Sequence, residues 1–291
     1  MTLKVTSLIG DFAATITGAN LKSSLADNVF TAIHEAVDSF GVVIFRDQHL
    51  DDPALIAFAK KFGPLEEPLQ RDQFANIDKR ITTLANVQED GKVMPIDDKR
   101  AIFMKGNLLW HSDSSYKPVP STYSILAALE VPVIGGETEF ADARAGYDDW
   151  SGPFGETTKE ELEDLVCEHS IIYSRSLISG DIFSSEEKCG FTAPHQPLVR
   201  THPRSGRKIY YVGSHCSHVV GWPLDKGRAL VRELTTFCVR PEHVYTHRWN
   251  AGDVAIWDNR SVLHRGRKYD PTARRIMHRA TVAGDGPLKL S

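Results

Sequence analysis

The chain has 291 residues, 41% of them hydrophobic and 25% charged, which supports one sizeable core and argues against disorder. A formal net charge of −4 speaks against a nucleic-acid binder. No apolar run reaches the ~18 residues that span a bilayer, no stretch has the order of a secretory leader, and four cysteines form no Cys-x-x-Cys pair. These features predict a cytoplasmic protein with reduced thiols and no membrane partner.

In chain order, residues 3–21 alternate short apolar runs with Gly and Thr, and they predict a hairpin or two short strands. Val29, Ile33, Ala36 and Val37 recur at helical spacing, so residues 25–40 predict a helix stopped by Gly41. The β-branched run 42–45 predicts a strand, and 52–62 a second helix ending at Gly63-Pro64. A turn is expected at Glu89-Asp90-Gly91. Strands are expected over 122–129 and 137–140, and a charged helix over 158–169. The polar stretch 174–193 lacks periodicity and predicts a mobile loop. A strand at 208–212 and a helix at 223–238 follow, then strands near 253–257, 261–264 and 275–282. Many short strands with a few helices predict a β-sandwich or barrel carrying helices outside.

His-x-Asp occurs twice, at His49/Asp51 and His111/Asp113. His49 sits in a polar turn before a helix, where Asp51 or Asp52 suits an N-cap. His111-Ser112-Asp113 follows the apolar run Leu108-Leu109-Trp110. On a strand, residues two apart share a face, so His111 and Asp113 could converge on one point. Two imidazoles and one carboxylate form a facial triad that leaves three positions open on an octahedral metal. His264, in Leu263-His264-Arg265-Gly266 after a strand and a turn, is the candidate third ligand. Arg275, Met277 and Arg279 share a face if their segment is a strand, and guanidinium forks suit carboxylates.

The sequence resembles the taurine dioxygenase family of Fe(II)/2-oxoglutarate dioxygenases over nearly its whole length. The resemblance is strongest from Leu109-Trp110-His111-Ser112-Asp113 to Gly135-Gly136-Glu137-Thr138-Glu139-Phe140, and from His247-Arg248-Trp249-Asn250 to Arg275. The family pattern is His-x-Asp, a Thr roughly 25 residues on, and a distant His with an Arg eleven later. Here Thr138 lies 27 residues after His111 and Arg275 eleven after His264. The resemblance implies a mainly β double-stranded β-helix, or jelly roll, with flanking helices. It implies one catalytic domain over 1–291, for which 174–193 would supply an active-site lid.

It further implies that His111, Asp113 and His264 bind Fe(II), with 2-oxoglutarate and O2 as co-substrates. Arg275 and Thr138 would hold the far carboxylate of 2-oxoglutarate, and Trp257 would pack beside the metal. Arg279, Lys92, Arg71 and Asn107 would meet a small anionic substrate. Oxidative decarboxylation of 2-oxoglutarate to succinate and CO2 would accompany hydroxylation of a C–H bond. An aryloxyacetate would then break into a phenol and glyoxylate. The alternatives are the same chemistry on a sulfonate, a sulfate ester or another aromatic acid, and, from a different class, a non-catalytic jelly-roll binding protein. Asp113 argues against a halogenase, which needs a small residue there. A homo-oligomer is expected by analogy.

Other histidine groups read as structural. His215-Cys216-Ser217-His218 lacks zinc spacing, and His243 and His247 lack a His-Glu-x-x-His frame. His278 should face away from Met277 and Arg279, Arg274 reads as a solvated neighbour of Arg275, and the basic run 204–208 reads as a surface turn.

Overall fold

The computed structural model describes residues 3–67, 78–180 and 182–290. The first half of the chain runs β1 (Lys4–Ile9), β2 (Phe12–Thr17), α1 (Asp27–Phe40), β3 (Val42–Phe45), α2 (Asp52–Ala59), β4 (Ile81–Ala85), α3 (Lys99–Met104), β5 (Tyr123–Glu130), β6 (Thr138–Asp142) and α4 (Ala143–Asp149). The second half runs α5 (Lys159–Leu162), β7 (Val166–His169), α6 (Ile171–Ser176), α7 (Ser185–Cys189), β8 (His195–Pro197), β9 (Val199–Thr201), β10 (Lys208–Tyr210), β11 (Cys216–Val219), α8 (Leu224–Cys238), β12 (Val244–His247), β13 (Val254–Asp258), β14 (Val262–Gly266) and β15 (Ile276–Thr281). The protein is therefore mainly β with flanking helices. No described helix is long and apolar enough to cross a membrane.

The principal sheet has the order β1-β2-β3-β13-β5-β15-β4, and β2–β3 is its parallel pair. Its central strands are buried on both faces, which explains their unbroken apolar runs. In β3, Val42 and Ile44 point into one core and Val43 and Phe45 into another. The first core joins the principal sheet to the sheet β12-β6-β14 through Leu126, Trp257, Met277, Phe140 and Val262. The second lies beneath α1 and α2, where Ile33, Val37, Leu55 and Phe58 pack on Phe45, Ile125 and Ile256. A third core gathers α4, α8 and the small strands β7 to β11 around Leu162, Tyr210 and Leu230. Gly41 ends α1 at φ +72°, and a Cβ there would meet Val262 at 3.1 Å, so the helix-to-strand turn needs glycine on both counts.

The structure departs from the sequence reading in several places. The helix expected over 158–169 is only α5, closed by a Thr158–Glu161 capping box. Its second half is β7, because Cys167 and His169 alternate inward and pair with β8 and β11. Tertiary pairing there overrides a charged, helix-favouring composition. The stretch 174–193 carries the end of α6 and all of α7, the latter opened by a Ser184–Glu187 capping box. α3, absent from the sequence reading, is capped by Asp98, which accepts from Arg100 N. Finally, His111 lies in an isolated bridge and Asp113 in a turn, not in a continuous strand.

The smaller expectations hold. Asp51 caps α2 by accepting from Ala54 N. Gly91 turns at φ +82° between the bridged Val87 and Val93. Arg204 lies in a surface turn and pairs with Asp38.

His169 titrates with a consequence for stability. Burial, then the positive charge of Arg200, lowers its pKa to about 3. His215 and the β11 partner Cys216 crowd the same ring, which also stacks on Tyr211 at 4.9 Å. Between pH 6.5 and 3 the unfolded chain takes up this proton and the folded chain does not, so stability falls as pH falls. The loss is ~1.4 kcal/mol per pH unit below 6.5. His169→Phe should remove about 2 kcal/mol of the pH 6.5-to-5 decline in urea-unfolding stability. An unchanged decline would show that His169 carries a proton in the fold.

Candidate active site

Two backbone hydrogen bonds build the centre of the site. His111 N donates to His264 O at 3.0 Å, and His264 N donates to His111 O at 2.8 Å. β14 carries His264 and is fixed by its ladder with β6. The bridge therefore draws His111 onto an already rigid strand, and the two imidazole centroids lie 4.2 Å apart. After Ser112 the chain turns, and Ser114 adopts φ +55° with its hydroxyl donating to Glu66. This turn swings Asp113 back: its Oδ1 lies 3.8 Å from His111 Nε2 and its Oδ2 3.6 Å from His264 Nε2.

The donor chemistry of these three side chains fits a divalent metal. All three are buried, and their ligand atoms lie within 4.8 Å of one another. His111 Nδ1 contacts the Leu109 carbonyl at 2.7 Å, which places the proton there and leaves the Nε2 lone pair towards Asp113. Burial lowers the pKa of His111 and pushes that of His264 far down, so both rings are neutral, as ligands must be. Burial alone would raise the Asp113 carboxyl. The Arg279 guanidinium, together with the Ser124 hydroxyl, outweighs it and holds the group below the usual carboxylate range.

Residues that sequence reasoning passed over hold the triad in place. Ser124 Oγ donates to Asp113 Oδ2 at 2.7 Å. Asn259 Nδ2 donates to Ser124 Oγ at 3.0 Å, while Asn259 Oδ1 accepts from Trp257 Nε1 at 3.0 Å and from Asp113 N at 3.2 Å. Each partner is an ordinary polar residue whose role depends on burial and strand pairing. The neighbouring Asp258 is fixed by His202 at 2.9 Å and by Arg260.

A cavity of about 570 Å³ opens from the triad. His111, His264, Thr138, Trp257, Asn107, Arg275 and Arg279 line it, and so do Lys105, Arg267 and Lys268. No carboxylate is among its described lining residues. Arg275 is half-buried with its Nε enclosed, burial lowers its pKa, and its Nη2 donates to Gly136 O at 3.3 Å. Asn86 secures it by accepting from Arg275 N at 2.8 Å and donating to the Pro271 and Ala273 carbonyls. The Thr138 hydroxyl accepts from Trp249 Nε1 at 2.9 Å, so its own hydrogen is available to another acceptor. Trp257 lies 4.6 Å from the His264 ring. Arg279 Nη1 donates to Asp113 Oδ1 at 2.6 Å.

One expected residue is not among those lining this cavity. The Lys92 side chain is 82% exposed and pairs with Asp90 at 3.0 Å, because the bridge between Val87 and Val93 puts it at the tip of a turn. Arg71 lies outside the described residues. His278 faces away, as expected, onto Asp52 at 2.5 Å, and Arg274 pairs with Glu130 at 2.8 Å. His243 and His247 pair with Asp149 and Asp253 and are structural.

Two neutral imidazoles and one carboxylate beside an arginine-rich cavity define the site of a two-His-one-carboxylate oxygenase. The chain belongs to the family described as taurine catabolism dioxygenase TauD, TfdA family, whose model matches residues 4–281. It is an Fe(II)- and 2-oxoglutarate-dependent dioxygenase. It is 40% identical over 282 residues to the alpha-ketoglutarate-dependent 2,4-dichlorophenoxyacetate dioxygenase of Cupriavidus pinatubonensis, covering 94% of this chain and 95% of that one. It is 34% identical to the (S)-phenoxypropionate/alpha-ketoglutarate-dioxygenase of Sphingobium herbicidovorans, covering 97% and 95%. Its fold matches the crystal structure of AAD-2 in complex with Mn(II) and N-oxalylglycine, with a TM-score of 0.90, 39% identity and full coverage of both chains.

Ser124→Ala should weaken metal affinity by about tenfold, because it frees Asp113 to rotate. Titration of the apoprotein with Mn(II) checks this, and wild-type affinity would show that Ser124 does not orient the ligand.

Proposed function

We propose that the enzyme hydroxylates the carbon beside the ether oxygen of an aryloxyalkanoate such as 2,4-dichlorophenoxyacetate. The observation that carries this reading is the pairing of the His111–Asp113–His264 triad with a cavity that holds Arg275 and Arg279 and no described carboxylate. Such a cavity suits two acids at once. Relatives named for 2,4-dichlorophenoxyacetate and phenoxypropionate support the substrate class.

In this reading His111 and His264 give Nε2 lone pairs and Asp113 gives its carboxylate to Fe(II). Arg275 forks onto the far carboxylate of 2-oxoglutarate, and the Thr138 hydroxyl donates to the same group. Trp257 shields the metal side from water. Arg279, held by Asp113, offers its remaining N–H groups to the carboxylate of the substrate, and Asn107 lines the space beside it. Fe(II) with 2-oxoglutarate and O2 supplies the oxidation, releasing succinate and CO2 and placing one oxygen atom on the substrate carbon. The protein sets the C–H bond towards that centre and keeps it dry. With an aryloxyacetate the product is a hemiacetal that breaks to a phenol and glyoxylate.

We also infer that the two facing sheets form a double-stranded β-helix and that the chain acts as one catalytic unit. Four free thiols support a cytoplasmic location. The exposed Val133 and Ile134 support self-association.

Succinate release across aryloxyalkanoates, sulfonates, sulfate esters and benzoates tests the substrate class. Aryloxyalkanoates should lead, with phenol formed in equal amount, and a preference for sulfonates or sulfate esters would replace this reading. His111→Ala should abolish turnover. Arg275→Gln should raise the KM for 2-oxoglutarate about tenfold or more through loss of a charge-assisted fork, and an unchanged KM would contradict its role.

A further inference from the structure

Besides its histidines and arginines, the cavity is lined by the apolar side chains of Leu84, Met94, Ala101, Met104 and Leu108. Three lining residues, Ala101, Met104 and Lys105, come from α3 and the position that follows it. They are spaced i, i+3 and i+4, which puts them on one helical face.

The other face of α3 looks away from the cavity. Phe103 is buried with Ile171, Ile182 and Phe183, and Ile102, Ile178 and Phe191 pack around that cluster. Most of these partners come from the α6–α7 segment, yet no described residue of 174–193 lines the cavity. Arg175, on α6, stacks its guanidinium over the Phe103 ring at 4.5 Å. The same guanidinium fills the place where a Cβ on Gly106 would stand. Gly106 directly precedes Asn107 in the 3-10 turn Lys105–Leu108. The α6–α7 segment thus braces the back of a helix whose front faces the cavity.

We propose that α3 and the turn Lys105–Leu108 are the substrate-selecting wall of this enzyme, with the apolar body of the substrate against Ala101 and Met104 and the Arg175–Phe103–Gly106 contact behind fixing its room. This rests on the reading of the site as an oxygenase of an aryl-bearing acid. A thioether wall adapts to ring substituents because Met is unbranched and flexible. Ala101 lines the cavity and is absent from the packed core clusters, so carbon added there takes up cavity space. Arg175 is a positioning residue: it acts through Phe103 and the Gly106 backbone, and lysine cannot reproduce its planar stacking.

The test compares phenoxyacetate, 2,4-dichlorophenoxyacetate and 2-naphthoxyacetate in the holoenzyme and its variants. Binding of each acid to protein loaded with redox-inert Zn(II) and 2-oxoglutarate is measured alongside by calorimetry. Ala101→Leu should lower kcat/KM for the dichloro acid about tenfold and for phenoxyacetate far less, as expected for methylene-sized changes in an apolar pocket. Met104→Ala should shift preference towards the naphthyl acid. Arg175→Lys should raise KM and calorimetric Kd for the aryl acids about tenfold while the KM for 2-oxoglutarate stays within about twofold. Phe103→Leu, which removes the ring under Arg175 but keeps a large apolar side chain in the cluster, should fall between Arg175→Lys and wild type.

Unchanged ring preference in both Ala101→Leu and Met104→Ala would overturn the wall. Equal loss of 2-oxoglutarate and aryl-acid affinity in Arg175→Lys would overturn the brace, since it would mark a general structural role. A wild-type enzyme that turns over none of the three acids would instead overturn the parent reading, and this one with it.

Discussion

The site depends on one bridge of two backbone hydrogen bonds between His111 and His264. These residues lie 153 positions apart, so no local propensity brings them together. β14 is stiff because β6 pairs along its length, and the bridge transfers that stiffness to a segment with no other strand pairing among the described residues. The turn after Ser112 then needs only one left-handed residue, Ser114, to bring the carboxylate round. A triad assembled on backbone bonds keeps its geometry when side chains or ligands change.

Charge is the second constraint. Asp113 is a buried anion facing two neutral rings, and Arg279 and Ser124 offset its burial within the protein. Arg275 is a half-buried cation with an enclosed Nε, and its nearby groups are Gly136 O and the ring of Tyr269. A buried guanidinium without a carboxylate is costly on its own and gains strongly from an acidic ligand. The second buried cluster, Asp38, His202 and Asp258, shows the contrast. There Arg260 bridges both carboxylates and Arg204 reaches Asp38 at 2.7 Å, so protein cations already balance the charge. That cluster fixes the 258–261 turn and through it Asn259.

Much of this was legible in the sequence, for identifiable reasons. The β-branched runs of β3 and β13 and the periodic apolar faces of α1 and α8 report their own burial. The triad and Arg275 are chemically distinctive residues at a distinctive joint spacing. By contrast, β7 was hidden because its pairing with β8 and β11 overrides local composition. Ser124, Asn259 and Asn86 carry no signal of their own, since their roles exist only once distant strands are adjacent. Lys92 shows the opposite case: its charge is plain in the sequence, but where the turn places its side chain is not.

The most direct measurement is anomalous diffraction from crystals grown with Mn(II) and N-oxalylglycine. The account predicts one metal peak bonded to His111 Nε2, His264 Nε2 and the Asp113 carboxylate, with the far carboxylate of the ligand on Arg275. A peak at Asp38, His202 and Asp258, or a ligand carboxylate held away from Arg275, would contradict it.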